Sequence, residues 1–222
     1  MKLILFDIDG TLVDTGGAGI TSLNKAFFDT FSVEDAFHGM SLAGKTDPQI
    51  IKEALRVHQI NPNCENISIL LEKYIAHLKQ EIHIHDGRLK PGVLELIEEL
   101  SKSHHIGLLT GNIEYGAKIK LTAYGIYNHF LTGAFGCDND DRNKLLPIAC
   151  NKFNENYALD FLYADCVVIG DTPRDVCCSK LYGAMAIAVA TGPYTTAELS
   201  KTAADLVVNN LLDVDYIIKS IL

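Results

Sequence analysis

Six short apolar runs constrain this chain most: Lys2–Phe6, His105–Leu109, His129–Ala134, Cys166–Ile169, Met185–Val189 and Asp205–Val208. Each reads as a buried strand. Helical patterns lie between them. Pro91–Lys102 carries Val93, Leu94, Ile97 and Leu100 on one face, with Pro91 near its start. Glu114–Tyr124, Asn143–Phe153, Pro173–Tyr182 and Leu211–Ile221 are similar. This alternation predicts the α/β class: a doubly wound parallel sheet, a Rossmann-like core, with helices on both faces.

One region breaks the rhythm. From about Thr15 to His85 the pattern is helical, with candidate helices at Ile20–Phe31, Asp47–Val57 and Asn66–Glu81. Gly16, Gly17 and Gly19 precede this block and Asp86-Gly87 follows it, a composition suited to two hinges. The expected organisation is an α/β core of residues 1–14 and 88–222 and an inserted α-helical cap of residues 15–87. Inserted there, the cap would hang over the C-terminal end of the first strand, where doubly wound sheets bind ligands. Phe27, Phe28 and Phe31 recur at helical spacing and read as cap core.

Composition narrows the partners. The chain has 222 residues, is 48% hydrophobic and 21% charged, and carries a formal net charge of −9. An acidic surface argues against nucleic acid or an anionic membrane as the main partner. An anionic substrate would therefore need its charge met locally, by a metal or a few placed cations. No run approaches the roughly 18 apolar residues of a membrane span. The N-terminal run is too short for a signal peptide, and Asp7 and Asp9 interrupt it. The six cysteines show no metal-binding spacing and read as reduced thiols of a cytoplasmic protein. Oligomeric state is not legible.

Four elements carry chemistry. In Asp7-Ile8-Asp9-Gly10-Thr11, two carboxylates two residues apart follow an apolar strand, and on a strand period they face one side. Like charges that close favour a shared cation, and a hard divalent ion such as Mg²⁺ suits oxygen ligands. Gly170-Asp171-Thr172-Pro173-Arg174-Asp175 again runs from a strand into an acidic loop and a helix start, with Pro173 suited to the first helical position. Asp175 alone could be a helix cap. Thr110-Gly111-Asn112 offers a hydroxyl and backbone N–H groups between strand and helix, which favours a phosphate oxygen. Asp140-Asp141-Arg142-Asn143-Lys144 supplies a cation, Arg142 or Lys144, to hold phosphate and shield the carboxylates.

In this order the four elements resemble the haloacid dehalogenase superfamily of phosphohydrolases over about Lys2 to Val208, and phosphoglycolate phosphatase-like members within it. The resemblance implies roles. Asp7 would attack phosphorus and form an aspartyl-phosphate. Asp9 would protonate the leaving alcohol and then deprotonate the hydrolytic water. Magnesium would be held by Asp7, Asp171 and the Asp9 backbone carbonyl, with Asp175 steadying the metal shell or the neighbouring cation. Thr110, Gly111 and Asn112 would bind phosphoryl oxygens, and Gly10 and Thr11 would belong to the substrate-binding turn. A Lys-Pro pair is usual at the basic position; this chain has Arg142-Asn143-Lys144. In the cap, Lys45 could reach a second anionic group of a small phosphorylated substrate, while Thr46 or Asp47 would cap the following helix.

Rival readings share the scaffold. A dehalogenase would need neither a metal nor Asp9. A sugar-phosphate mutase would keep every core motif and differ in how the cap excludes water. A phosphonate-cleaving enzyme would need a cap lysine forming a Schiff base, for which Lys45 is the candidate. A non-catalytic binding module would be expected to have lost one of Asp7, Asp9 or Asp171, and all are present.

Overall fold

The computed structural model describes residues 1–221. In chain order the elements are β1 Leu3–Phe6, β2 Val13–Asp14, α1 Ala18–Phe31, α2 Asp47–Val57, α3 Cys64–Glu81, β3 Arg88–Leu89, α4 Val93–Leu100, β4 His105–Leu109, α5 Glu114–Ala123, β5 Gly133–Ala134, α6 Leu145–Tyr157, β6 Cys166–Gly170, α7 Pro173–Lys180, β7 Met185–Val189, α8 Thr196–Leu199, β8 Leu206–Val208 and α9 Val214–Ile221.

Six strands form one parallel sheet in the order β5-β4-β1-β6-β7-β8. The strand period explains the two layers of helix. Ile4, Phe6, Ile106, Leu108, Val167 and Ile169 point into one cluster with residues of α4, α5 and α9. Leu3, Leu5, Leu109, Cys166 and Val168 point the other way, into α6 and α7. Both faces are covered, which is why these strands lack polar alternation. Burying each such large side chain contributes about 1.5–3 kcal/mol.

The register sets the stage for the site. Phe6 stands opposite Leu108 on one side and Ile169 on the other. Asp7, Thr110 and Asp171 therefore emerge just beyond the C-terminal ends of three adjacent strands, where the order reverses around β1.

The segment 15–87 holds no strand of the sheet. Its helices gather their own apolar cluster, including Leu23, Phe27, Ile51, Leu55, Leu70, Tyr74 and Leu78. Phe27 stacks edge-on against Phe37 at 5.1 Å between ring centres. Phe28, read as cap core from its spacing, is instead 49% exposed, because only part of the α1 circumference faces α2 and α3. The chain enters and leaves through β2 and β3, which pair antiparallel, Val13 with Leu89 and Asp14 with Arg88. Two-residue strands are too short to leave a periodic signature.

Several elements differ in extent from expectation. Of His129–Ala134 only Gly133 and Ala134 pair with β4, and Tyr127–His129 is a 3-10 turn. Before α6, Arg142–Lys144 forms another 3-10 turn, which Asp141 caps by accepting from the Asn143 N–H at 3.0 Å. The last helix begins at Val214, after Asp213, rather than at Leu211, which is buried. Among the described residues no helix is long and apolar enough to cross a membrane.

Candidate active site

Asp7 extends β1 by one step, its backbone N–H donating to the Ile169 carbonyl at 3.0 Å. The chain then turns tightly: the N–H groups of Leu12 and Val13 both donate to the Ile8 carbonyl, at 2.9 and 3.0 Å. Ile8, Leu12 and Val13 are fully buried and anchor the turn from below. Gly10 makes it possible. Its φ is +85°, a region other residues rarely adopt, and a Cβ there would overlap the Asp171 carboxylate. The Thr11 hydroxyl donates to Asp171 at 3.0 Å. Gly10 and Thr11 thus support the acidic centre.

Asp7, Asp171 and Asp175 each place a carboxylate oxygen within 4.8 Å of the others, and all three are buried. Their electrostatics follow. Burial pushes Asp7 up to about 6, against the pull of Arg142, and the negative charges of Asp175 and Asp9 add to the rise. Burial pushes Asp171 well above the usual carboxylate range, and the charges of Asp7 and Asp175 push it further. Such a set favours a cation among its oxygens. Its all-oxygen composition suits magnesium. Asp175 is already engaged. It accepts from the Thr172 N–H at 3.0 Å and the Thr172 hydroxyl at 2.8 Å, closing a capping box at the start of α7. Its other oxygen pairs with Arg142.

Arg142 is the buried cation of the centre, with 5% of its side chain exposed. It reaches Asp7 at 3.1 Å, pairs with Asp175, and donates to the Gly44 carbonyl at 3.3 Å. Lys144, the other candidate, is exposed and lies outside the cavity lining, because the 3-10 turn carries it to the opposite side.

Asp9 lies beside a cavity of about 310 Å³ and is 44% exposed. Lys120 donates to its two oxygens at 2.8 and 2.6 Å, and Asn112 donates to it at 2.8 Å. Asn112 also accepts from Lys120 at 2.7 Å and donates to the Thr110 hydroxyl oxygen at 2.9 Å. Thr110 is fully buried at the end of β4. Lys120 was not among the residues singled out from sequence. Its signal was present. It lies on α5 with Gly116, Ala117 and Leu121, all buried, and a lysine on the apolar face of a helix needs a partner.

The helical segment closes over this floor. The Asp47 N–H donates to the Gly111 carbonyl at 2.8 Å, and the Asp47 carboxylate accepts from the Ile113 N–H at 2.9 Å. A Cβ on Gly111 would overlap the Lys45 carbonyl, so the loop before α2 rests directly on this glycine. Thr46 caps α2, accepting from the Gln49 N–H at 3.3 Å, and donates to the Asp140 carbonyl at 2.8 Å. Lys45 lines the cavity and pairs with Glu53.

Asp47 gives a stability test. Burial pushes it from 3.8 up to about 6, against the pull of Lys120. The folded state holds this proton more tightly than the unfolded chain does. Asp47 therefore becomes a stability cost as pH rises from 3.8 through 6. Asp47→Asn keeps an oxygen for the Ile113 N–H and removes the charge. In urea denaturation its stability relative to wild type is expected to be about 2 kcal/mol more favourable near pH 7.5 than near pH 4.5. A pH-independent difference would refute the assignment.

The fold and the site together define an α/β enzyme scaffold with an acidic centre at the sheet's switch point. Residues 4–189 match the family model for haloacid dehalogenase-like hydrolases, and the chain belongs to that family. It is 27% identical to the probable phosphatase IndB of Dickeya dadantii, across 96% of this chain and 91% of that protein. It is 25% identical to a phosphoglycolate phosphatase of Agrobacterium fabrum, across 94% of this chain and 88% of that one. Its fold is similar to the crystal structure of β-phosphoglucomutase from Clostridium difficile, with a TM-score of 0.77, 18% identity, and coverage of 100% of this chain and 97% of that one.

Proposed function

We propose that this protein hydrolyses a small phosphate monoester through an aspartyl-phosphate on Asp7, with magnesium as its metal, and that residues 15–87 act as the cap. The observation that carries this reading is the setting of Asp7. It lies between Arg142 and the Asp171 carboxylate, with Asp9 beside the same cavity two residues on. The phosphatase names of the two curated relatives support the reaction class.

In the first step a carboxylate oxygen of Asp7 attacks phosphorus and the bond to the leaving oxygen breaks. Asp9, as the acid, gives its proton to that oxygen. In the second, Asp9 takes a proton from water as the water oxygen attacks phosphorus. The bond to Asp7 breaks, releasing phosphate. Once Asp9 has given up its proton, Lys120 and Asn112 hold its carboxylate at the cavity edge. Thr110, with the N–H groups of Gly111 and Asn112, takes phosphoryl oxygens as the chain leaves β4. Arg142 shields Asp7 from Asp175, and Asp175 positions Arg142. Magnesium would be held by Asp7 and Asp171 with the Asp9 carbonyl, and Asp175 would stand behind them. When bound, it neutralises charge on the phosphoryl group. Burial, and the crowding of Asp7, Asp171 and Asp175, are the reason a cation fits there.

The dehalogenase reading leaves Asp9 and the acidic cluster without work. The test is phosphate release from p-nitrophenyl phosphate, with magnesium and after chelation. Release with magnesium and a loss of at least about 100-fold on chelation are expected. Undiminished release after chelation would refute the metal role. Conversion of a sugar phosphate to its isomer without phosphate release would identify a mutase instead.

A further inference from the structure

The cavity has a charged floor and an apolar roof. The floor holds Asp7, Asp9, Asp171, Lys120 and Arg142. The roof, from the helical segment, is lined by Ile20, Leu23, Leu42, Ile50 and Tyr74, and the same segment adds Lys45 and Asp47 to the lining. Every cation in this lining already has an anionic partner within the protein. Arg142 sits between Asp7 and Asp175. Lys120 is held by both oxygens of Asp9 and by Asn112. Lys45 is paired with Glu53, which also accepts from Gln49 at 3.3 Å.

A phosphoryl dianion and a metal balance each other at the floor. A second anion on the substrate would have to sit higher, among aliphatic side chains, with no free cation. It would also meet Asp47. Burial, with the charges of Asp47 and Asp9 adding to it, holds the Tyr74 hydroxyl well above its ordinary range. An unpaired anion in such a place is strongly disfavoured. Apolar carbons placed there are favoured, because they leave water for the faces of Leu23, Ile50 and Tyr74. The volume, about 310 Å³, lies at the small end of ligand pockets.

We propose that the leaving group is a small uncharged alcohol, its carbon skeleton packed against Ile20, Leu23, Leu42, Ile50 and Tyr74, and not a carboxylate-bearing or doubly phosphorylated one. This rests on the phosphate-monoester reading above. It departs from the substrate named for the Agrobacterium relative, because no cation lining this roof is left over for a carboxylate.

The experiment compares kcat/KM in magnesium for ethyl phosphate, n-propyl phosphate, phosphoglycolate and propane-1,3-diol bisphosphate, with p-nitrophenyl phosphate as reference. n-Propyl phosphate is expected to exceed both doubly anionic esters by at least about tenfold, and to exceed ethyl phosphate by roughly fourfold for one more buried methylene. Phosphoglycolate or the bisphosphate matching n-propyl phosphate, while p-nitrophenyl phosphate is cleaved, overturns the inference and leaves the phosphatase reading standing. No release from any ester, p-nitrophenyl phosphate included, overturns both. A second arm frees the cap lysine. Glu53→Gln is close in size and sits where 31% of the side chain is exposed. It is expected to shift the propyl-to-phosphoglycolate ratio at least about fivefold toward phosphoglycolate, as an unpartnered Lys45 becomes available. A ratio that stays fixed overturns the charge argument.

Discussion

Asp7→Asn is expected to reduce turnover of p-nitrophenyl phosphate by at least about 1,000-fold, more than 4 kcal/mol in the barrier, while the chain keeps its fold. The amide has the same shape and can still face Arg142, but it has no anionic oxygen with which to attack phosphorus. The stability of the metal-free protein should move in the opposite direction to activity. Burial and the charges of Asp175 and Asp9 lift Asp7 to about 6, so near neutral pH its ionised form is a cost to the folded state that the amide removes. Asp7→Asn should therefore melt at the wild-type temperature or above it when magnesium is absent, the usual opposition between an active site and stability. Steady-state rates and thermal melts with chelator check both halves. A variant retaining more than a few per cent of activity would sink the nucleophile assignment.

Arg142→Ala is expected to cost about 3–5 kcal/mol of stability and most of the activity, whereas Lys144→Ala should stay within about 0.5 kcal/mol of wild type. The two residues are two positions apart, but only Arg142 is buried, between Asp7 and Asp175. Removing it leaves two buried carboxylates facing each other without a counter-charge, in a centre where Asp171 is already pushed up by both. Arg142→Lys should recover part of the stability. A lysine restores the charge, but its single nitrogen cannot sit between the two acids and also reach the Gly44 carbonyl, as Nη2 and Nη1 of the guanidinium do. Urea denaturation and phosphate release on the three variants decide this. If Lys144→Ala is the damaging change, the basic role passes to Lys144.

The link between Arg142 and Gly44 has a consequence for motion. Gly44, Lys45, Thr46 and Asp47 all touch the sheet layer through Arg142, Gly111, Ile113 or Asp140. The helical segment thus rests in part on Arg142, the residue that faces Asp7. Opening it would break those contacts while the β2–β3 pair still holds the two chain crossings together.

Much of this protein was legible in one dimension because its determinants are local. A strand buried on both faces needs only consecutive apolar residues, so β1, β4, β6 and β7 could be read from short windows. Acids at strand ends and a Pro at the start of α7 are equally short-range, so Asp7, Asp9, Asp171 and Asp175 stood out as candidates without a structure. What the tertiary structure alone decided is which charge meets which. Lys120 reaches Asp9 across 111 positions and Arg142 reaches Asp175 across 33. Lys45, a candidate for grasping the substrate, is taken by Glu53 one face along the same segment. Charges act through space, and their worth depends on burial and on competing partners. Neither is set by spacing along the chain. The kinds of residue that would do chemistry followed from local sequence; which cations are left free for a substrate followed only from the fold.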